Sequence, residues 1–231
     1  MCFIHKSTLI CINIHRHFPF FFGFFSMFPN WIGLSLWNLF NSLLLLFAIY
    51  FCQNLITFKR GLVLLIVLIE LLTSMQSQQS NALIAGLLIF SFELLEKKYY
   101  LFATLCIVFS IFIKLFGIVG FALFLFYPKK WKLALYSIFW TIFMLVLPLI
   151  FIDYEQYIKL FNSYFSLLKN DHDLSYGYSL MGWLNSWFSI SINKNIIVSI
   201  GALVFLIPLV KIQMYKEFIF KYLMLASILI W

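Results

Sequence analysis

Amide side chains are concentrated in one short polar stretch of a very apolar chain. Residues 74–86 read SMQSQQSNALIAG. The amides in this stretch are Gln76, Gln78, Gln79 and Asn81. A turn between two helices needs only one or two polar residues, so this excess favours a binding role over a solvated loop. Amides both donate and accept hydrogen bonds, which suits them to sugar hydroxyls or lipid headgroups. The structural alternative places Asn81 at the N-cap of a helix beginning at Ala82.

Three charged residues interrupt the apolar runs on either side of these amides. An ionised side chain surrounded by hydrocarbon costs about 2.5–3.5 kcal/mol even on the mildest scale, so it is usually paired or functional. Glu93 has a simple partner in Lys97, four residues further on. For Glu70 and Lys114 two interpretations remain open. They form a structural ion pair, or Lys114 holds a lipid phosphate close to Glu70 and the amides.

The largest polar segment covers residues 153–194 and combines an amphipathic pattern with a polar, aromatic cluster. One helical face of its first part carries apolar residues, which predicts a helix lying at the membrane surface. They are Tyr154, Ile158, Phe161, Phe165 and Leu168. Further along, Asp171 and Asp173 flank His172, and Trp183 precedes Trp187 by four residues. The tryptophans suit either headgroup anchoring or a platform for a sugar.

The composition shows which kind of molecule positions these residues. The chain is 64% hydrophobic and 10% charged, whereas a soluble domain is near half apolar and a quarter charged. This predicts an all-α, polytopic transmembrane bundle, of about seven to eight membrane segments. The net charge of +8 comes from lysine-rich loops, so no nucleic-acid partner is expected. Cysteines and histidines lack metal-ligand spacing, and we expect neither a metal nor a cofactor.

Apolar runs divide the chain into a short N-terminal segment and one transmembrane domain. Residues 1–30 form a divergent segment, in which the run 18–28 is predicted to be interfacial or re-entrant. Residues 31–231 form the transmembrane domain, with an outer loop at 153–194. Its apolar runs are 31–52, 61–75, 82–95, 99–127, 131–152, 195–210 and 218–231. The last run is too short to cross a bilayer, so a C-terminal truncation is expected.

Basic residues predict the orientation of these runs, because short loops rich in lysine and arginine stay cytoplasmic. The basic clusters are Lys59–Arg60, Lys97–Lys98, Lys129–Lys130–Lys132 and Lys211/Lys216/Lys221. They share one side only if the run 99–127 turns back within the membrane. The rule therefore predicts two short helices or a re-entrant pair, with the turn near Lys114–Gly117. It also places the amides, Lys114 and the loop 153–194 on the outer side.

Several stretches resemble the bacterial form of glycosyltransferase family 87. They read FPNWIGLSLWNLFNSLLLLFAI, ELLTSMQSQQSNALIAGLLIF, FIKLFGIVGFALFLFYPKKW and LLKNDHDLSYGYSLMGWLNSWF. The resemblance runs from about residue 18 to the end of the chain. It implies a multi-span enzyme of the C-type glycosyltransferase fold in a bacterial plasma membrane. Such enzymes transfer a hexose, typically mannose, from a polyprenyl phosphate to a glycan or lipid acceptor, so the lipid-linked sugar phosphate is a substrate and not a cofactor.

The resemblance also implies roles for individual residues. A carboxylate deprotonates the acceptor hydroxyl, and a preorganised cation stabilises the departing phosphate. Lys114 is the candidate cation. The amides, Glu70, His172 and Trp183 are candidate substrate contacts. The family's catalytic aspartate lies in a first outer loop, before the matched region, so we expect a fragment that lacks its base and is inactive alone. Asp171 and Asp173 are the second-choice bases.

Three other classes remain open from the sequence. A multi-span transporter would use discontinuous helices, which the run 99–127 fits, but the chain shows no internal repeat. A lipid-linked polysaccharide polymerase would bind its substrate with arginines in outer loops. The two arginines, Arg16 and Arg60, lie in no predicted outer loop, which counts against that class. A structural membrane subunit leaves Glu70 and Lys114 without a role.

Overall fold

The computed structural model describes residue 25, the ranges 27–52, 57–76, 78–150 and 152–170, and isolated residues beyond them. Its α-helices are α1 (Asn30–Phe51), α2 (Thr57–Gln76), α3 (Asn81–Glu96), α4 (Tyr100–Ile113), α5 (Lys130–Val146) and α6 (Tyr154–Asn170). Two 3₁₀ segments cover Leu115–Phe126 and Leu147–Ile150. No strand occurs in the described ranges, which confirms the all-α prediction. The chain divides into two compact units, Met1–Leu160 and Phe161–Trp231, and helices α1–α5 lie in the first.

Helix α3 is the centre of the first unit. Twelve of its sixteen residues are buried, because α1 packs on one side of it and α4 on another. At Gly86 the backbones come close together. A Cβ atom there would lie 2.6 Å from Leu44 Cδ2 and 3.1 Å from Leu45 Cα. Small residues allow this approach between membrane helices, so Gly86 fixes the contact between α1 and α3.

The run 99–127 is broken at Lys114, as the charge distribution predicted. Helix α4 ends at Ile113, and Lys114 has an extended backbone with φ −145° and ψ 140°. The following 3₁₀ segment folds back along α4. A Cβ atom on Gly117 would lie 2.6 Å from the Ile111 nitrogen, and one on Gly120 would lie 3.2 Å from Ile107 Cγ2. Later residues of the segment therefore meet earlier residues of α4, which is an antiparallel pair.

The second half of this pair is a 3₁₀ helix and not the short α-helix that the sequence suggested. It has 12 residues, and 3₁₀ runs longer than three or four residues are uncommon. At about 2.0 Å per residue it extends roughly 24 Å, whereas an α-helix of equal length would extend roughly 18 Å. The tighter winding gives the segment enough length to return to the opposite end of the bundle.

At that opposite end, two turns and the end of α1 meet. The Tyr127 hydroxyl donates to Glu96 Oε1 at 2.5 Å. The Lys97 ammonium lies 3.6 Å from the centre of the Phe51 ring, and the Lys129 ammonium lies 5.6 Å from that of Tyr100. The basic clusters at 97–98 and 129–132 therefore lie at the same end of the bundle, which the orientation rule requires. The Glu93–Lys97 pair stays a prediction.

Two helices in the described part of the chain are long and apolar enough to cross a membrane. They are Asn30–Phe51 and Lys130–Ile150, where the second includes the short 3₁₀ turn after α5. Both helices expose large apolar side chains, and an apolar surface of this extent is unusual for a protein in water. The exposed side chains include Leu39, Leu43, Phe47, Leu135, Ile138 and Ile142. The number of spans, about seven to eight, stays a prediction.

The predicted amphipathic helix is present as α6. Tyr154 and Ile158 of its apolar face are exposed. The Tyr157 hydroxyl donates to the carbonyl oxygen of Leu145 at 3.2 Å, which ties the start of α6 to α5. Trp187 of the loop 153–194 is exposed. The other predictions for this loop beyond α6 concern residues outside the described part of the chain, as does most of the predicted interfacial run at 18–28.

Candidate functional site

The amide stretch begins with a backbone turn that ends α2. The Gln79 N–H donates to the carbonyl oxygen of Ser74 at 2.9 Å, and the Gln78 N–H donates to that of Met75 at 3.2 Å. This pair of bonds defines a Schellman motif, in which one residue adopts a left-handed conformation. Gln78 is that residue, with φ 54°. Its backbone therefore stops α2 and turns the chain towards α3.

The start of α3 corrects one expectation from the sequence. Ser80 is the N-cap residue, and its carbonyl oxygen accepts the first helical bond from the Ile84 N–H at 3.0 Å. Asn81 is the first residue of the helix itself, so its predicted N-cap position is wrong. The reason is that the Schellman turn ends at Gln79, which leaves a single residue between the turn and the helix. The Asn81 side chain is thereby directed to other partners.

Those partners form a chain of hydrogen bonds between three predicted site residues. The Lys114 ammonium donates to Asn81 Oδ1 at 2.8 Å. The Asn81 amide nitrogen in turn donates to Gln79 Oε1, also at 2.8 Å. Asn81 opens α3, Gln79 belongs to the turn before it, and Lys114 occupies the break after α4. The structure thus brings the predicted cation and two predicted amides together across 33 residues of sequence.

Side chains from α1 and α2 hold the turn in place. The Trp37 indole N–H reaches the carbonyl oxygen of Gln78 at 3.4 Å. The Ser74 hydroxyl donates to the carbonyl oxygen of Gln79 at 3.1 Å. Trp37 is buried, and a buried indole N–H usually finds a partner. Sequence reasoning missed Trp37, although a tryptophan within a predicted span was the available signal.

Two buried polar atoms at the same end of the bundle have no hydrogen-bond partner among the described residues. They are the Ser80 hydroxyl and Asn41 Oδ1, whose side chains are 1% and 2% exposed. The Asn41 amide nitrogen donates to the carbonyl oxygen of Trp37 at 2.8 Å, so Asn41 lies one helical turn after Trp37 on α1. An unpaired buried polar atom costs about 1–3 kcal/mol. A water molecule or a ligand hydroxyl would remove that cost, and sequence reasoning missed both residues.

The other predicted site residues are not part of this cluster. Gln76 is the last residue of α2 and is exposed. Glu70 lies on α2, with a side chain outside the described part of the structure, so the Glu70–Lys114 ion pair stays a prediction. Four predicted residues lie outside the described ranges altogether. They are Asp171, His172, Asp173 and Trp183. Among the described residues, no group of three or more metal-ligating side chains occurs.

The fold and this cluster define an all-helical protein with lipid-compatible faces and a lysine–amide site at one end of the bundle. The chain belongs to glycosyltransferase family 87, whose family model matches residues 17–229. The family implies a membrane glycosyltransferase, with donor and acceptor substrates in a lipid environment. Neither a curated protein nor a solved structure matches the chain.

Proposed function

We propose that this chain is a multi-pass hexosyltransferase of the bacterial plasma membrane. It transfers a mannose-like hexose from a polyprenyl-phosphate donor to a glycan or lipid acceptor on the extracytoplasmic face. The observation that carries this proposal is the position of the Lys114 ammonium, at the break after α4 and on the amide of Asn81. The family supplies the reaction class, and Lys114 supplies the cation that this reaction needs.

The transfer exchanges one bond at the anomeric carbon of the hexose. The acceptor hydroxyl oxygen attacks that carbon, and the bond to the phosphate oxygen breaks. The polyprenyl phosphate leaves with the electron pair, while a carboxylate takes the hydroxyl proton. Among the carboxylates of this chain, Asp171 and Asp173 are the candidates for that base. A cation fixed beside the departing phosphate stabilises the charge that develops on it.

The surroundings of Lys114 suit it to this role. Its side chain is partly buried, so its charge acts through a medium less polarisable than water and has a stronger effect on an anion. Asn81 accepts a hydrogen bond from the ammonium without neutralising its charge. The extended backbone of Lys114 separates α4 from the 3₁₀ segment. A side chain at such a break lies at the end of the bundle, where a lipid phosphate can approach.

Binding of the donor tests this proposal directly. The full chain is reconstituted in nanodiscs and labelled with a photoreactive polyprenyl-phosphate mannose. We expect Lys114→Met to weaken binding by roughly ten- to a hundredfold, because a hydrogen bond to a charged group contributes about 1.5–3 kcal/mol. Lys98→Met is the matched control, since Lys98 is an exposed lysine in the turn at the other end of α3. It should change binding less than about twofold.

A melting curve of each variant in the same nanodiscs shows whether it is folded. If folded Lys114→Met binds the donor as well as the unmodified chain does, Lys114 holds no phosphate and the proposal fails. If Lys98→Met weakens binding as much as Lys114→Met, the effect is one of total charge, and the assigned site is wrong.

A further inference from the structure

The hydrogen bonds of the Lys114–Asn81–Gln79 chain run in one direction. A lysine ammonium has only donors, so the Asn81 atom 2.8 Å from Lys114 Nζ is the carbonyl oxygen. This directs the Asn81 amide nitrogen to Gln79, and the Gln79 atom 2.8 Å away must then be an acceptor, Oε1. The oxygen and nitrogen positions of both amides therefore follow from the charge of Lys114.

The direction of these bonds determines which hydrogen-bonding groups the Lys114–Asn81–Gln79 chain can present to a ligand. Both amide oxygens accept bonds inside the chain. The groups at the two ends of this hydrogen-bonded chain are donors, the ammonium of Lys114 and the Nε2 amide group of Gln79. Gln79 is partly exposed, so a ligand can reach its amide group. Successive hydrogen bonds also polarise one another, which strengthens the positive character of the Gln79 N–H groups.

We propose that Gln79 donates a hydrogen bond to a phosphate oxygen of the donor, beside Lys114, and that Asn81 is the positioning residue for both side chains. This inference rests on the proposed function and names the part of the donor that the chain recognises. Phosphate oxygens only accept hydrogen bonds, and charged acceptors bind such donors more strongly than neutral ones do. A sugar hydroxyl is uncharged, whereas a phosphate oxygen is both an acceptor and an anion, so it matches the Lys114 ammonium and the Gln79 amide group together. We therefore assign the amides to phosphate in preference to the sugar hydroxyls that their composition alone suggested.

Replacement of Gln79 by glutamate tests this assignment. Gln79→Glu keeps the oxygen that accepts from Asn81 but replaces the Nε2 donors with a charged acceptor. Gln76→Glu makes the same chemical change at the exposed last residue of α2, outside the chain of hydrogen bonds. Dissociation constants are measured in nanodiscs for polyprenyl phosphate and for polyprenyl-phosphate mannose. We expect Gln79→Glu to weaken both by roughly ten- to a hundredfold, and Gln76→Glu to change them less than about threefold.

A neutral variant separates the loss of a donor from the added charge. Gln79→Met should weaken both ligands by roughly two- to tenfold, the effect of one neutral donor. Asn81→Leu should weaken them too, and less than multiplicatively when combined with Gln79→Met, because Asn81 acts in part through Gln79. Fully multiplicative losses would show that Asn81 does not position Gln79. Melting curves confirm that each variant is folded before its binding is compared.

The two ligands give outcomes that separate this inference from the proposed function. If Gln79→Glu weakens only the mannose-bearing ligand, Gln79 contacts the sugar and the inference is overturned, while the proposed function stands. If Gln79→Glu and Gln76→Glu have equal effects, the inference is likewise overturned. If Lys114→Met keeps full affinity for both ligands, the proposed function itself fails. Inorganic phosphate and polyprenyl phosphate are also compared as competitors of polyprenyl-phosphate mannose. If inorganic phosphate competes at the same concentration as polyprenyl phosphate, the site recognises phosphate without the lipid, and a polyprenyl-phosphate donor is contradicted.

Discussion

The turns at the two ends of α3 use the same backbone geometry and carry different side chains. Each has a residue other than glycine with positive φ, 54° at Gln78 and 63° at Lys98. Each is closed by the same pair of bonds. These bonds are Gln79 N–H to Ser74 O (2.9 Å), Gln78 N–H to Met75 O (3.2 Å), Tyr99 N–H to Leu94 O (2.8 Å) and Lys98 N–H to Leu95 O (3.0 Å).

The comparison shows that a turn of this kind needs no amide side chain. The second turn closes with Lys97, Lys98 and Tyr99. The amides of the first turn are therefore present for another reason, which the structure supplies. The side chains of Gln79 and Asn81 are bonded to one another and, through Asn81, to Lys114. We infer that the composition of the first turn reflects the site beside it.

The largest effect should follow from a substitution that separates α4 from the 3₁₀ segment beside the first turn. Gly117→Leu places side-chain atoms where a Cβ alone would lie 2.6 Å from the Ile111 nitrogen. Such overpacking costs about 1–3 kcal/mol and occasionally more, and it displaces Lys114 from Asn81. Thermal unfolding in detergent should show the loss of stability, and donor binding should fall with it. Gly61→Ala is the control, because nothing lies within 4 Å of a Cβ atom there.

A smaller effect, on stability alone, is expected near the second turn. Tyr127→Phe removes the hydroxyl that donates to Glu96 Oε1 at 2.5 Å, and a hydrogen bond to a charged group contributes about 1.5–3 kcal/mol. The melting temperature should fall while the affinity for polyprenyl phosphate stays unchanged in the folded protein. Tyr99→Phe, at an exposed tyrosine, should change neither the melting temperature nor the affinity. Weaker phosphate binding by folded Tyr127→Phe would show that the two ends of α3 are not independent.

The smallest effect should be common to both turns. Gln78→Gly and Lys98→Gly relieve a left-handed conformation that costs about 1–2 kcal/mol, offset by about 0.5–1 kcal/mol for the greater freedom of glycine in the unfolded chain. Each variant should gain about 0.5–1 kcal/mol in stability, measured by its melting temperature. Donor affinity should not change in either, since the bonds that close each turn are made by the backbone. A lower affinity confined to Gln78→Gly would assign its side chain to the ligand as well.

The sequence predicted the break at Lys114 because the basic clusters can share one side only if the run 99–127 turns back. It did not predict the 3₁₀ winding, since an apolar run has no polar residues from which a period can be counted. It did not predict the hydrogen bond between Lys114 and Asn81. That bond depends on the rotation of α3 about its axis, to which the close packing at Gly86 contributes.

Two of the residues that sequence reasoning overlooked lie inside a predicted span. Trp37 and Asn41 lie in a run that was treated only as a membrane segment, although a polar atom in such a run requires a partner. The bond from Trp37 to Gln78 depends on how α1 faces the turn, whereas the bond from Asn41 to Trp37 lies within α1. That orientation follows from packing against α3, and a single sequence does not contain it.

The central claim is that the two turns face opposite sides of the membrane, with the amides and Lys114 on the extracytoplasmic, donor side. Single cysteines at Gln76 and Lys98, both exposed, test it after the native cysteines are replaced. An impermeant thiol reagent is added to intact cells. The account predicts that Gln76→Cys is labelled from outside and that Lys98→Cys is labelled only after permeabilisation. Labelling of Lys98→Cys in intact cells, with Gln76→Cys protected, would contradict it.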